Sequence, residues 1–196
     1  MRISKRTKIL ESAIRVIHRD GVTGVTFDAV AAEAGITRGG MLYHFPSRDA
    51  LLLAIHQYLA GQWEAMLVSQ AGKLADEATA DERLIAYVQT CIQSVSRVEL
   101  QLMLEGSTSP ELAAPWNEVA DRWVPALNLQ GDDSAAVIRT IIRLAGDGLW
   151  VYESLSNAPL SSSIREGICR ILVSMIRTPE QFFAVGSVPV SKDKHS

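Results

Sequence analysis

Residues Thr37 to Phe45 read Thr37-Arg38-Gly39-Gly40-Met41-Leu42-Tyr43-His44-Phe45, a segment dense in groups that can handle a polyanion. Arg38 carries a guanidinium that fits guanine or phosphate. Tyr43 and His44 can bond phosphate oxygens, and Leu42 can touch a thymine methyl. Met41 and Phe45, four apart, share a helical face that can sink into a core, which leaves Arg38, Gly39, Gly40, Leu42, Tyr43 and His44 on the other faces. Two adjacent glycines cost a short helix ~1 kcal/mol each relative to alanine, so local propensity gives no reason for Gly39 and Gly40. Close approach of the main chain to a phosphodiester backbone at a helix N-terminus does give one. Thr37 is the N-cap candidate that opens this helix.

Other residues nearby extend the same chemistry. Lys5 belongs to a basic lead-in with Arg2, Arg6 and Lys8, which opposes the dipole of the helix it opens unless phosphates lie close. Arg48 and the Thr26 hydroxyl are further phosphate candidates. Residues 1–50 hold eight Lys/Arg against five Asp/Glu, a net of +3, whereas the remainder carries −6. The overall charge of −3 thus conceals a basic N-terminal part and an acidic rest, which points to a polyanion partner for the former.

The elements that must position these groups are helical throughout. Apolar residues recur at steps of three and four, and no alternating run is bounded by hairpin turns. The spacing predicts helices over Ser4 to Asp20, Phe27 to Ala34, Arg38 to Phe45 and Arg48 to Lys73. Beyond Gly72 it predicts Ala80 to Ser96, Val98 to Glu105, Pro110 to Trp123, Asp132 to Ser156 and Ser161 to Arg177, with Pro179 to Ser196 a flexible tail. Thr26, Thr37 and Ser47 are the N-caps, Gly21 and Gly35 the C-terminal glycines, and Pro46 stops the third helix. The fourth helix would span roughly 40 Å and could join two domains. Two short helices around Gly35-Ile36-Thr37, framed by longer ones, form the pattern of a helix-turn-helix.

With 196 residues, 47% hydrophobic and 21% charged, the chain has the composition of a folded globular protein. No run reaches the ~18 uncharged residues of a membrane span, and the basic N-terminus lacks the apolar block of a secretory signal, so a soluble cytoplasmic protein is expected. Cys91 and Cys169 read as buried reduced thiols, and the scattered histidines suggest no metal or other cofactor.

All four tryptophans, Trp63, Trp116, Trp123 and Trp150, lie beyond residue 50. With Met66 and Met103 they can line a pocket that stacks planar ligands, although each is equally suited to plain core packing. Asp147 lies in the apolar run Ile141 to Leu155 and needs a partner. A cationic aromatic ligand would supply one, and so would Arg143 one turn earlier. The last two long helices carry apolar residues on more than one side. Ile138, Ile142, Leu149, Ile168, Leu172 and Met175 are the candidates for a four-helix interface between two copies, with Gly146 and Gly148 allowing close approach.

The run from Thr26 through Phe45 to Leu51 resembles the DNA-binding signature of TetR-family transcriptional regulators. Tyr43-His44-Phe45-Pro46-Ser47-Arg48, Trp123-Val124-Pro125 and Ala145-Gly146-Asp147-Gly148-Leu149 are similar to the multidrug-sensing group of repressors. Leu42 stands where many members have an aromatic residue, and Arg48 where many have lysine. The resemblance implies an all-α chain: a three-helix helix-turn-helix DNA-binding domain over residues 1–47, a ligand-binding and dimerisation domain over 48–178, and a tail over 179–196. It further implies a homodimeric repressor that leaves a palindromic double-stranded operator when a small lipophilic, potentially cationic, inducer binds. The competing class is a helical enzyme or carrier that uses its apolar chamber without DNA. Asp147, Glu153 and His56 could in principle do acid–base work there, but no G-x-S-x-G, H-E-x-x-H or phosphate-binding glycine loop supports it.

Overall fold

A computed structural model describes residues 4–93, 96–125 and 134–183. The described residues form ten α-helices and one 3-10 turn, with no strand among them. Arg2, the start of the predicted helix at Asp132, and the tail from residue 184 onward lie outside the described residues.

Helix α1 (Lys5–Asp20) starts where the Ser4 hydroxyl accepts the Thr7 N–H at 3.0 Å and ends at Gly21, whose φ of 75° favours glycine. Ile9, Leu10, Ala13, Val16 and Ile17 form its buried stripe. A 3-10 turn (Val22–Gly24) leads to α2 (Phe27–Ala34), capped by Thr26 and closed by left-handed Gly35. Then come α3 (Arg38–His44), capped by Thr37, and α4 (Arg48–Ala71), capped by Ser47. The Thr26, Thr37 and Ser47 caps and the Gly21 and Gly35 stops are those the sequence marks, whereas Ser4 caps α1 from outside the helix and α4 ends at Ala71, before the expected Lys73. Carboxylate Glu33 on α2 receives Arg15 at 2.7 Å and Arg19 at 3.1 Å, both on α1, and these two guanidiniums hold it below the usual carboxylate range.

The other elements are α5 (Ala80–Gln93), α6 (Arg97–Gly106), α7 (Pro110–Trp123), α8 (Ser134–Leu155), α9 (Ser162–Arg177) and the single turn α10 (Glu180–Phe183). That turn occupies the start of the segment expected to be a flexible tail. One hydrophobic core runs from Ile9 through Leu59 and Trp123 to Ile176, with α4 packed on α1, α5 and α7. At 24 residues, α4 is ~36 Å long and ties the N-terminal helices to the rest. Helix α6 reaches α1 and the 3-10 turn on one side and α7 and α8 on the other.

Candidate functional site

Helix α3 is anchored from one side only. Met41 is 0% and Phe45 2% exposed, and the Thr37 hydroxyl accepts the Gly40 N–H at 3.1 Å. The opposite side, Thr37, Arg38, Gly39, Leu42 and Tyr43, is open to solvent, with Tyr43 86% exposed. The half-buried His44 ring meets the Tyr43 ring edge-on at 5.1 Å. A Cβ built on Gly39 would meet only the Thr37 hydroxyl, at 3.9 Å, so nothing in the protein itself requires glycine there. Arg38 does not project freely. Its Nη1 lies 3.1 and 2.9 Å from the two Asp28 carboxylate oxygens. Both side chains are more than half exposed, so this pair is weak and easily exchanged for a phosphate.

Lys5 and Thr26 are exposed, and the Thr26 hydroxyl accepts the Ala29 N–H at 3.1 Å. The Arg6 guanidinium lies 5.0 Å from the Phe45 ring centroid. Arg48 departs from the expectation of a phosphate ligand. Its Nε and Nη2 donate to the carbonyls of Val25 and Val22 at 2.9 and 3.0 Å, so it fastens the start of α4 to the turn before α2.

A cavity of about 320 Å³ opens among α4, α5, α6, α7 and α8. Of the residues expected to bind a ligand, Trp63, Met103, Trp116, Asp147 and Trp150 come together on its wall. The Trp63 and Trp116 rings lie 6.2 Å apart, and Trp63 meets Tyr87 at 6.4 Å. Met66 and Trp123 lie off this wall. Trp123 is fully buried at the edge of a second, more open cleft, where its indole N–H donates to Glu64 at 3.2 Å. Arg122 donates to both Glu64 oxygens at 2.8 Å, and with that neighbour the carboxylate titrates below its ordinary range.

Among the wall residues that the sequence does not single out as lining groups are Tyr87, Glu99 and Arg143. Asp147 accepts from the Tyr87 hydroxyl and from Arg143 Nε at 3.2 Å, and the Arg143 guanidinium sits 5.1 Å from the Tyr87 ring centroid. The structure thus contains the i,i+4 pair that the sequence left as one of two options. Burial raises the Tyr87 hydroxyl and pushes the Cys91 thiol up to about 12. Burial also raises Glu99 to about 7. A signal for Glu99 exists in the sequence, since it lies four residues before Met103 and between Val98 and Leu100. Behind the wall, the Trp116 indole N–H donates to Nδ1 of buried His56 at 2.8 Å, an imidazole that burial keeps neutral. A Cβ on Gly106 would lie 2.9 Å from the His56 ring, so the end of α6 is packed directly against that imidazole.

The outer face of α8 and α9 corrects the expected pairing residues. Ile138, Ile142, Leu149 and Leu172 are buried within the chain, and Ile168 and Met175 are partly buried against the core. The solvent-facing apolar residues are instead Val137, Ile141, Leu144, Val151, Tyr152 and Leu155 on α8 with Ile164 and Ile171 on α9. Gly146 faces inward, its absent Cβ leaving room for Tyr87 and Cys91 of α5, whereas Gly148 has nothing within 4 Å. Among the described residues, no helix is long and apolar enough to cross a membrane.

Comparison with known proteins bears on both halves. A model of bacterial regulatory proteins of the tetR family matches residues 9–55, and a tetracyclin repressor-like C-terminal domain matches residues 81–177. The regulator BetI of Paraburkholderia xenovorans is 26% identical over 173 residues, covering 83% of this chain and 88% of its own. The regulator RutR of Escherichia coli K12 is 29% identical over 106 residues, 53% of this chain. The chain spans half of the length of RutR and a fifth of that of a further curated regulator, from Bacillus subtilis, that it matches. Among solved structures, a transcriptional regulator from Saccharomonospora viridis in complex with choline superposes with a TM-score of 0.64 at 23% identity, covering 88% of this chain and 95% of that one.

Proposed function

Because the chain belongs to the TetR family of transcriptional regulators, we propose that it is a homodimeric repressor whose two α3 helices enter successive major grooves of a palindromic operator. A small lipophilic molecule in the aromatic cavity releases it. Residues 1–47 read DNA, and residues 48–178 hold the ligand and the second copy. The observation that carries the DNA half is the exposed face of α3, where Gly39, Leu42 and Tyr43 stand clear and Arg38 is held only by the exposed Asp28, on a helix pinned by Met41 and Phe45. The apolar outer face of α8 and α9 supports pairing of two copies about a two-fold axis. No catalytic role is assigned to the cavity.

The layout also supplies a route between the two sites. Trp63 on α4 and Met103 on α6 border the cavity, and both helices pack against α1. Trp116 bonds His56 on α4, against which the Gly106 end of α6 is pressed, so a ligand that moves Trp116 moves the joint of α4 and α6. By linkage, a ligand that weakens operator binding binds the DNA complex more weakly by the same factor.

A gel shift on DNA from the protein's own promoter region tests the reading. Binding should weaken steeply with salt, as release of phosphate counterions requires. A chain that shifts no such fragment at low salt would fit the carrier class instead.

A further inference from the structure

Two carboxylates border the cavity, and the structure treats them differently. Asp147 is already satisfied, since Arg143 neutralises it and the Tyr87 hydroxyl donates to it. Glu99, in the first turn of α6, has no ion-pair partner among the described residues. Its backbone N–H donates to the Ser96 hydroxyl at 3.2 Å, while Arg97 beside it turns away to the carbonyls of Ser154 and Leu155. The ionisable groups facing the same space are Tyr87 and Cys91 on α5 and the Arg143–Asp147 pair on α8. Helices α4 and α7 contribute Trp63, Trp116 and Asn117, which carry no charge, and His56 behind Trp116 is neutral.

A carboxylate set among indole faces, without a cation of its own, is the complement of a flat organic cation. The ring faces supply cation–π attraction and the carboxylate the counter-charge. We propose that Glu99, and not Asp147, pairs with an organic monocation stacked against the tryptophans of the cavity wall. The proposal rests on the reading that the cavity holds a lipophilic ligand, and assigns that ligand its charge and its partner. Burial, opposed by the neighbouring Ser96 hydroxyl, raises the Glu99 carboxyl to about 7, so an entering cation meets a group poised to ionise.

Titration calorimetry on the full chain, with N-methylquinolinium and its uncharged isostere 1-methylnaphthalene, tests this. The charge of the first probe is permanent, so any pH dependence belongs to the protein. A carboxyl titrating near 7 is about 9% ionised at pH 6 and about 91% at pH 8, which predicts about tenfold tighter binding of N-methylquinolinium at pH 8. At pH 7 about half a proton should be released per cation bound, read from buffers of different ionisation enthalpy, a measurement that needs no variant. Glu99→Gln, which can still hydrogen-bond at its helical position, should abolish the slope and the preference for the cation over 1-methylnaphthalene. Asp147→Asn should retain the slope. A slope that survives Glu99→Gln, or one that vanishes in Asp147→Asn, overturns the assignment. If only 1-methylnaphthalene binds, the charge assignment fails and the lipophilic cavity stands. Should neither probe bind at millimolar concentration, both fall.

Discussion

Replacing Gly39 with alanine should move stability and DNA affinity in opposite directions. Gly39 is the second residue of α3, its φ is ordinary, and an added methyl would meet only the Thr37 hydroxyl at 3.9 Å. Nothing has to shift to admit it. Alanine in a helix is favoured over glycine by roughly 0.5–1 kcal/mol, so the free protein should gain about that much. For a domain of this size, 1 kcal/mol corresponds to a rise in melting temperature of roughly 2–4 °C. If the bare backbone at Gly39 meets the duplex, the same methyl occupies space that a phosphate or base edge needs. A loss of about 1–3 kcal/mol, the worth of one good base or phosphate contact, would weaken operator binding roughly 5- to 150-fold. Gly40 offers the comparison, because its Cβ would press on the Thr37 cap oxygen at 3.4 Å and the folding gain should be smaller. Thermal melts and gel shifts at one fixed salt concentration measure both quantities. A Gly39→Ala protein that is stabilised yet binds DNA as tightly as the parent refutes the role assigned to this glycine. One that melts lower refutes the open space described for it.

Four further outcomes follow. Arg48→Ala should destabilise the fold by ~1–2 kcal/mol through loss of its bonds to the Val22 and Val25 carbonyls, yet change the salt slope of DNA binding by less than the ~0.9 expected for one lost phosphate contact; denaturant melts and salt titrations separate these roles. Leu144→Glu with Ile171→Glu should give a folded monomer by analytical ultracentrifugation, whereas Ile142→Glu, at a fully buried position, should unfold the chain. Alkylation at pH 8 should label Cys169 and spare Cys91 until the protein unfolds, because burial holds the Cys91 thiol near 12. Glu99 holds its proton more tightly in the folded than in the unfolded chain, so its contribution to stability is full below about pH 4.5 and is lost as pH climbs through about 7; chemical melts of Glu99→Gln should lack that decline.

Much of the framework was legible because it is written locally. Thr26, Thr37 and Ser47 each cap the helix the sequence assigns to them, and the Met41 and Phe45 spacing orients α3 without knowledge of any neighbour. What the sequence withheld depends on contacts between elements distant in the chain. Whether an isoleucine of α8 faces α5 or solvent turns on which side of an all-round apolar helix meets the core. Hence Ile142 and Ile141, adjacent and chemically identical, have opposite fates. The same holds for Gly146, whose neighbours Tyr87 and Cys91 lie more than fifty residues away. Arg48 reads as a phosphate ligand by charge, and only the folded turn reveals two carbonyls waiting for it. Glu99 was overlooked for the complementary reason: a lone carboxylate near a helix start is ordinary until three indoles surround the same space.

The placement of the tryptophans has a spectroscopic consequence. Every indole lies at or beyond Trp63, and two of them stand 6.2 Å apart on the cavity wall, close enough to exchange excitation energy. The segment proposed to meet DNA carries Tyr43 instead and is dark at wavelengths that excite indole alone. Intrinsic emission therefore views the chamber, through three of the four indoles, and the cleft beside Glu64, through Trp123, and is blind to α3. Any change in it on adding an oligonucleotide is conformational traffic across α4 and α6, observed without a label.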